Sequence, residues 1–321
     1  MSCKISVVMT TYNGEKYIIQ QLDSIRSQSL MPDEVIISDD GSSDKTVEIV
    51  NHYIAKNVLI NWHVFVNKPN IGWKANFYKA IGYSTGDIVF FSDQDDIWNT
   101  DKIEIMSSLM EKHQMGALYA TKTIIDSEGH LMEERQEKKC FSGKIKKIEL
   151  TPSFYEVKTL GCCMCISRRV ANLYQRLSFF EDDHDSQCGR IAVFCDTLWY
   201  LDKPVIQYRI HNNNTSGISG VASFGQSTKS IRIKEIQTII NWIDRANSEL
   251  NLNSAKNNLL KNCKSFLVKR LGFFSGSTTF FYLLFHLKYY TGMTMLMGDV
   301  AYKYNFNKTA GRFLWKLKKK K

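Results

Sequence analysis

The most constraining feature of the sequence is a repeat of unbroken apolar runs, each followed by a helical pattern, over the first 125 residues. Ile5-Ser6-Val7-Val8-Met9, Glu34-Val35-Ile36-Ile37-Ser38, residues 61–66 and Asp87-Ile88-Val89-Phe90-Phe91-Ser92 read as strands. Helical spacing follows each one, at 17–27, 47–54, 73–81 and 102–114. Strands without polar alternation that take turns with helices fit one arrangement, a parallel sheet covered on both faces. In such sheets ligands bind at the carboxyl ends of the strands. Those ends are polar here: Thr10-Thr11-Tyr12-Asn13, Asp39-Asp40-Gly41-Ser42 and Asp93-Gln94-Asp95-Asp96.

The chain has 321 residues, enough for one large domain with an appendage. Its net charge of +10 is unevenly distributed. Residues 1–220 hold 24 Lys and Arg against 28 Asp and Glu, whereas residues 221–321 hold 18 against 4. A nucleic-acid binder needs a basic footprint on its main domain, so no nucleic-acid partner is expected. The last third reads as helices with aromatic and basic residues interleaved: Phe273-Phe274, Phe280-Phe281-Tyr282-Leu283-Leu284-Phe285, Tyr289-Tyr290 and a terminal Lys run. That pattern suits attachment to an anionic membrane surface. The alternative is a helical subdomain packed on the sheet. The best apolar stretch, residues 271–285, is too short and too polar to span a bilayer. No secretory leader is expected, which places the eight cysteines in a reducing cytoplasm. Residues 126–150 read as a charged, loop-rich stretch, 160–167 as a strand followed by a helix to about Leu177, and 190–198 as a helix, with the acidic run 181–185 before it a solvated loop in the plainer reading. Cys162-Cys163-x-Cys165 reads as small buried thiols on that strand.

Neither G-x-G-x-x-G nor G-x-x-x-x-G-K-[ST] occurs, so an anionic ligand needs another source of positive charge. Three carboxylates in four residues at 93–96 repel one another unless a cation neutralises them. Hard oxygen donors select Mg2+ or Mn2+, which leave coordination positions open to substrate phosphates. The plainer reading of Asp93 to Asp96 is a solvated turn that caps the helix starting near Lys102. Asp39-Asp40-Gly41-Ser42 likewise can serve as a turn leading into a helix capped by Ser43 or Asp44.

The strings 5–14 and 36–44, Asn70-x-Gly72 and Phe91-Ser92-Asp93-Gln94-Asp95-Asp96-Ile97-Trp98 together resemble the family 2 glycosyltransferases of GT-A fold. Within them they are most similar to a bacterial, rhamnosyltransferase-like branch. The resemblance spans roughly residues 3–220 and recurs in order at four separate places. It implies a Rossmann-like, mostly parallel α/β sheet flanked by helices. Residues 1–125 would form a nucleotide-sugar half, 126–220 an acceptor half, and 221–321 a helical basic extension.

The resemblance also implies roles. Thr11, Tyr12 and Asp40 would line the base and ribose pocket, Asp93 would reach ribose or phosphate, and Asp95 would bind the metal. Asn70, Gly72, Asp96 and Trp98 would support them. His184-Asp185 matches the family's pair before the catalytic base, which makes Asp185 the candidate, although Asp182 and Asp183 stand close enough to serve instead. Tyr208-Arg209-Ile210-His211 is similar to a segment in which His211 lies near the diphosphate or metal and Arg209 organises the site. Residues 186–197 depart from the relatives' pattern. The implied activity is metal-dependent, inverting transfer of a sugar from a nucleotide diphosphate. The donor is dTDP-rhamnose first and a UDP-hexose second, and the acceptor is a lipid-linked surface saccharide. A catalytically silent sugar-nucleotide binding subunit is the alternative.

Overall fold

The structure, a computed structural model, describes residues 3–136, 140–178, 183–211, 229–250 and 252–304. It forms two compact units, Met1–Leu150 with Lys158–Ile210, and Thr151–Val157 with His211–Lys321. The boundary expected after residue 220 falls outside the described residues.

The first unit opens as the apolar runs require. In order come β1 (Ile5–Thr11), α1 (Ile18–Arg26), β2 (Glu34–Asp39), α2 (Thr46–Lys56), β3 (Trp62–Val66), α3 (Trp73–Tyr83) and β4 (Ile88–Ser92). Every residue of β1, β2 and β4 is buried, whereas β3, at the sheet edge, is buried only at Trp62. Each Val, Ile or Phe so enclosed contributes about 1.5–3 kcal/mol. The four strands are parallel in the order β3-β2-β1-β4. Parallel register places Thr11 beside Asp39, and Ser92 beside Met9. The carboxyl ends of β2, β1 and β4 therefore form one rim.

The rest of the unit completes a nine-stranded mixed sheet: β5 (Ile97–Trp98), α4 (Lys102–Lys112), β6 (Ala117–Ile125), β7 (Ile145–Lys147), β8 (Met164–Ser167), α5 (Arg168–Leu177), α6 (His184–Phe194) and β9 (Leu198–Arg209). β8 runs antiparallel to both β4 and β6, and β9 parallel to β6. Three features differ from the sequence expectations. Residues 126–150, expected as a charged loop, contain β7, and the strand expected at 160–167 begins as a 3-10 turn, Gly161–Cys163. The helix expected at 190–198 starts at His184, so the acidic cluster leads into a helix rather than forming a free loop.

In the second unit, α7 (Lys229–Glu249), α8 (Ser254–Ser275), α9 (Phe280–Phe285) and α10 (Met293–Lys303) enclose Trp242, Phe266, Phe273 and Leu296. Asn253 caps α8 by accepting from the Lys256 N–H, and Gly276, at φ 94°, ends it in the left-handed conformation. Arg270 is fully buried and ion-paired with Glu156 at 2.8 Å and Asp299 at 2.6 Å. Arg232 and the Tyr290 hydroxyl also bond Asp299. Of the aromatic residues in the interfacial reading, Phe273, Phe274, Tyr289 and Tyr290 are core residues, while Phe281 and Phe285 stand exposed. The Lys-rich end lies outside the described residues.

Candidate active site

At the rim, two adjacent carboxylates do different work. Asp39 accepts from the Gly41 and Ser42 backbone N–H groups and from the Thr11 and Ser42 hydroxyls, at 2.6–3.0 Å. It shapes its own loop and occupies the Thr11 hydroxyl. Asp40 faces the next loop. Its Oδ1 accepts from Ile71 N at 2.9 Å and Asn67 Nδ2 at 3.2 Å, and its Oδ2 from Gly72 N at 2.8 Å. Asn70 Nδ2 donates to the Asp40 carbonyl, and Gly72 adopts φ 83°, a conformation that favours glycine. Asp40, Asn70 and Gly72 thus form one hydrogen-bonded unit. Tyr12 is half exposed beside it. Its backbone N–H and C=O are both bonded by the Gln94 amide, at 2.8 and 3.0 Å. Gly14 lies against that amide, where a Cβ would come within 2.2 Å of Gln94 Oε1.

The carboxylates of 93–96 separate by depth. Asp93 and Asp95 are partly exposed, whereas Asp96 is buried. Asp96 Oδ1 accepts from Arg209 N at 3.0 Å, and its Oδ2 is buried without a partner. Ligating atoms of Asp93, Asp96 and Cys162 lie within 4.8 Å of one another. Burial, with the charge of Asp95 added, pushes Asp93 up to about 7. Burial and the charges of Asp95 and Asp93 raise Asp96 well above the carboxylate range. An orphaned buried acceptor beside a second carboxylate is a place where a divalent cation fits. Asp95 and His211 are not in this group. Asp95 presents its carbonyl to Arg209 Nε at 2.9 Å, and His211 stands two residues past β9, in the second unit.

Arg209, itself buried, braces this loop. Besides Asp95 and Asp96 it reaches the Asp126 and Ser127 carbonyls and Gln20 Oε1, and its guanidinium lies 4.7 Å from the Tyr17 ring centroid. Beneath the loop is Lys102, which is fully buried although it stands in the first turn of α4. Its Nζ donates to the Cys162 carbonyl at 2.7 Å and lies 3.4 Å from the centroid of the buried Trp98 ring. Burial pulls it down to about 8.

Across the site, α6 presents Asp185 in its first turn. Its Oδ1 accepts from Ser186 N at 2.7 Å, and the Gly161 backbone N–H also bonds the carboxylate. Burial, then the charges of Asp183 and Asp93, push it up to about 7. The Gly161–Cys162 pair links the two carboxylates: the Gly161 N–H bonds Asp185, and the Cys162 sulfur lies within 4.8 Å of an Asp93 oxygen, so residues 92 positions apart come to one turn. Asp183 forms an ion pair with Lys74 at 2.9 Å, and Asp182 is outside the described residues. His184 points inward, stacked on Phe77 at 3.7 Å and edge-on to Phe91. Burial lowers it to about 3, so the ring is neutral, and neither nitrogen has a hydrogen-bond partner. A Cβ at Gly161 would meet His184 Nε2 at 2.7 Å, so the 3-10 turn and α6 approach as closely as only glycine allows.

Sequence reasoning placed Thr11, Asp40, Asp93, Asp95, Asp185 and Arg209 on this rim but gave no role to Gln94, Lys102, Cys162 or Lys74. No sequence signal marked Gln94 or Lys102: the first is a neutral residue inside the acidic string, and the second stands six positions past its end.

The family described as Glycosyl transferase family 2 matches residues 6–176. The chain is 30% identical over 221 residues to dTDP-rhamnosyl transferase RfbG of Shigella flexneri, covering 65% of this chain and 73% of that protein. It is 31% identical over 218 residues to an uncharacterized glycosyltransferase of Methanocaldococcus jannaschii, covering 65% and 72%. Among solved structures, S. aureus TarS 1-349 in complex with UDP-GlcNAc superposes with a TM-score of 0.56 at 17% identity, over 98% of this chain and 92% of that one. Mannosyltransferase PcManGT from Pyrobaculum calidifontis, in complex with GDP-Man and Mn2+, superposes with a TM-score of 0.52 at 15% identity, over 98% and 85%. At these identities the structural likeness speaks for the fold.

Proposed function

The chain belongs to glycosyl transferase family 2 and is a glycosyltransferase of GT-A fold, and from that premise we propose that it transfers a sugar, with inversion, from a nucleotide diphosphate to a saccharide hydroxyl. The observation that carries this reading is the meeting of Asp93 and Asp185 across one site. A single displacement needs a donor-side group at the diphosphate and a base at the acceptor, and these two come from different elements, the loop after β4 and the first turn of α6. The acceptor oxygen attacks the anomeric carbon, the bond to the diphosphate breaks, and Asp185 takes the acceptor proton. Asp183 is held by Lys74, which favours Asp185 over it as the base.

On the donor side, Tyr12 and the Asp40, Asn70 and Gly72 unit would bound the nucleotide, and Thr11 would contribute through its bond to Asp39. Asp93 and Asp95 would hold the diphosphate end, with Asp96, Trp98 and Arg209 keeping their loop in place. A bound Mg2+ or Mn2+ supplies the charge that stabilises the leaving diphosphate. The RfbG name supports dTDP-rhamnose as first donor, and the TarS complex keeps a UDP-hexose second.

We place the reaction at the inner face of the cell membrane, on a lipid-linked glycan acceptor. No described helix is long and apolar enough to cross a membrane. The support is surface chemistry: residues 221–321 carry 18 basic against 4 acidic side chains, and Phe281 and Phe285 are 66% and 83% exposed.

The donor reading is tested by thermal shift with a panel of nucleoside diphosphates, with and without Mn2+, since a ligand bound only by the folded state raises Tm. dTDP or UDP should stabilise the protein in a cation-dependent way, and Asp93→Ala should remove that dependence. No shift with any nucleotide would sink the proposal.

A further inference from the structure

Lys102 is the one group in the site for which the reading so far has no use. A lysine in the first turn of a surface helix ordinarily reaches water, because burying an unpaired ammonium is costly. Here the side chain is fully buried and makes a single hydrogen bond among those described, to the Cys162 carbonyl at 2.7 Å. The ammonium also lies against the Trp98 ring face, 3.4 Å from Nζ to the centroid. Cys162, whose carbonyl it bonds, is the residue whose sulfur lies within 4.8 Å of ligating oxygens of both Asp93 and Asp96. A buried cation thus stands one residue away from the two carboxylates, and its charge acts on Asp93.

Resting on the metal-dependent reading above, we propose that Lys102 is a built-in counter-ion of the acidic loop. It holds Asp93 and Asp96 in place before any divalent cation arrives, and by its charge it weakens the binding of that cation. Two consequences follow. The loop does not need metal to fold, and cation affinity is set below what three carboxylates alone would give, so that the ion comes and goes with the diphosphate it accompanies. Lys102 touches neither donor nor acceptor and is a positioning residue.

The sign of the effect makes the proposal testable. Replacing Lys102 with a neutral residue of similar length removes a repulsion, so Mn2+ should bind about tenfold or more tightly. A merely structural role would loosen the loop and weaken binding. The experiment is Mn2+ titration of the full chain at pH 7.5, followed by the electron paramagnetic resonance signal of free Mn2+, for the wild type, Lys102→Met and Lys102→Gln. Glutamine retains a donor near the Cys162 carbonyl and keeps the test open if the methionine variant does not fold. Tighter Mn2+ binding in a folded variant is the expected result. Unchanged or weaker binding in the folded variants overturns the counter-ion role while leaving the metal site intact. Absence of Mn2+ binding by the wild type as well as the variants overturns the metal-dependent reading itself, and the inference with it.

Discussion

A carboxylate that takes a proton from a sugar hydroxyl has to be ionised when the acceptor arrives. Asp185 is pushed up to about 7, from the ordinary 3.8, first by burial and then by Asp183 and Asp93. Transfer limited by the free enzyme should therefore rise about tenfold per pH unit below 7 and level off above it. The same shift bears on folding. A folded-state value above the unfolded one means that stability is fully present below pH 4 and is lost as pH rises toward 7. Asp185→Asn carries no charge to bury. It should raise Tm by about 5 °C at pH 8 and change it little at pH 4, while lowering kcat by roughly 10²–10⁴ and leaving the nucleotide-induced shift intact. Normal transfer by this variant would move the base elsewhere. The sequence reached this residue only through the family resemblance, whereas Asp40 and Asp93 were announced by strand ends, visible as abrupt changes from apolar to acidic. It gave no such sign for Lys102 or Gln94. Whether a helix-start lysine points to water or beneath a tryptophan depends on what the fold places over it.

Among the elements, those fully enclosed in the parallel half were legible, since burial on both faces demands apolar residues at every position. The mixed half was legible only in part. β6 and β9 are only partly buried, β9 carries Lys203 and Pro204 at its middle, and their pairing is interrupted by register shifts at Ala120, Thr121 and Thr123. α6 was expected too late because its first turns hold Asp185, Ser186 and Gln187, residues that suit a loop until tertiary packing buries them. Its placement depends on the Gly161 turn. Gly161→Ala would push a methyl group to 2.7 Å from His184 Nε2 and 3.5 Å from Asp185 Cβ. The expected outcome is a fall in kcat of about tenfold or more, through a base displaced by a fraction of an ångström, with donor binding by thermal shift unchanged. Equal loss of donor binding would show that the turn supports the whole rim and not the base alone.

For the whole molecule, the net charge of +10 resolves into an acidic first unit and a basic second one, the latter held together by the buried Arg270, Asp299 and Glu156 network. Half of the aromatic residues that suggested a membrane face, Phe273, Phe274, Tyr289 and Tyr290, lie in that core. The reading then falls to Phe281 and Phe285, on one face of α9 four residues apart. Replacing both with Ser should reduce flotation with anionic vesicles about tenfold or more without changing Tm, and undiminished flotation would leave the basic residues as the sole attraction. The brace that Arg209 makes to Gln20, 189 positions away, has a consequence in time. A ribosome that has released the first four strands has already made Thr11, Asp40 and the acidic string, but not the residue that clips them to α1. Domains fold as their chain emerges. The donor rim must therefore wait, incomplete, until the last strand of its unit has been made.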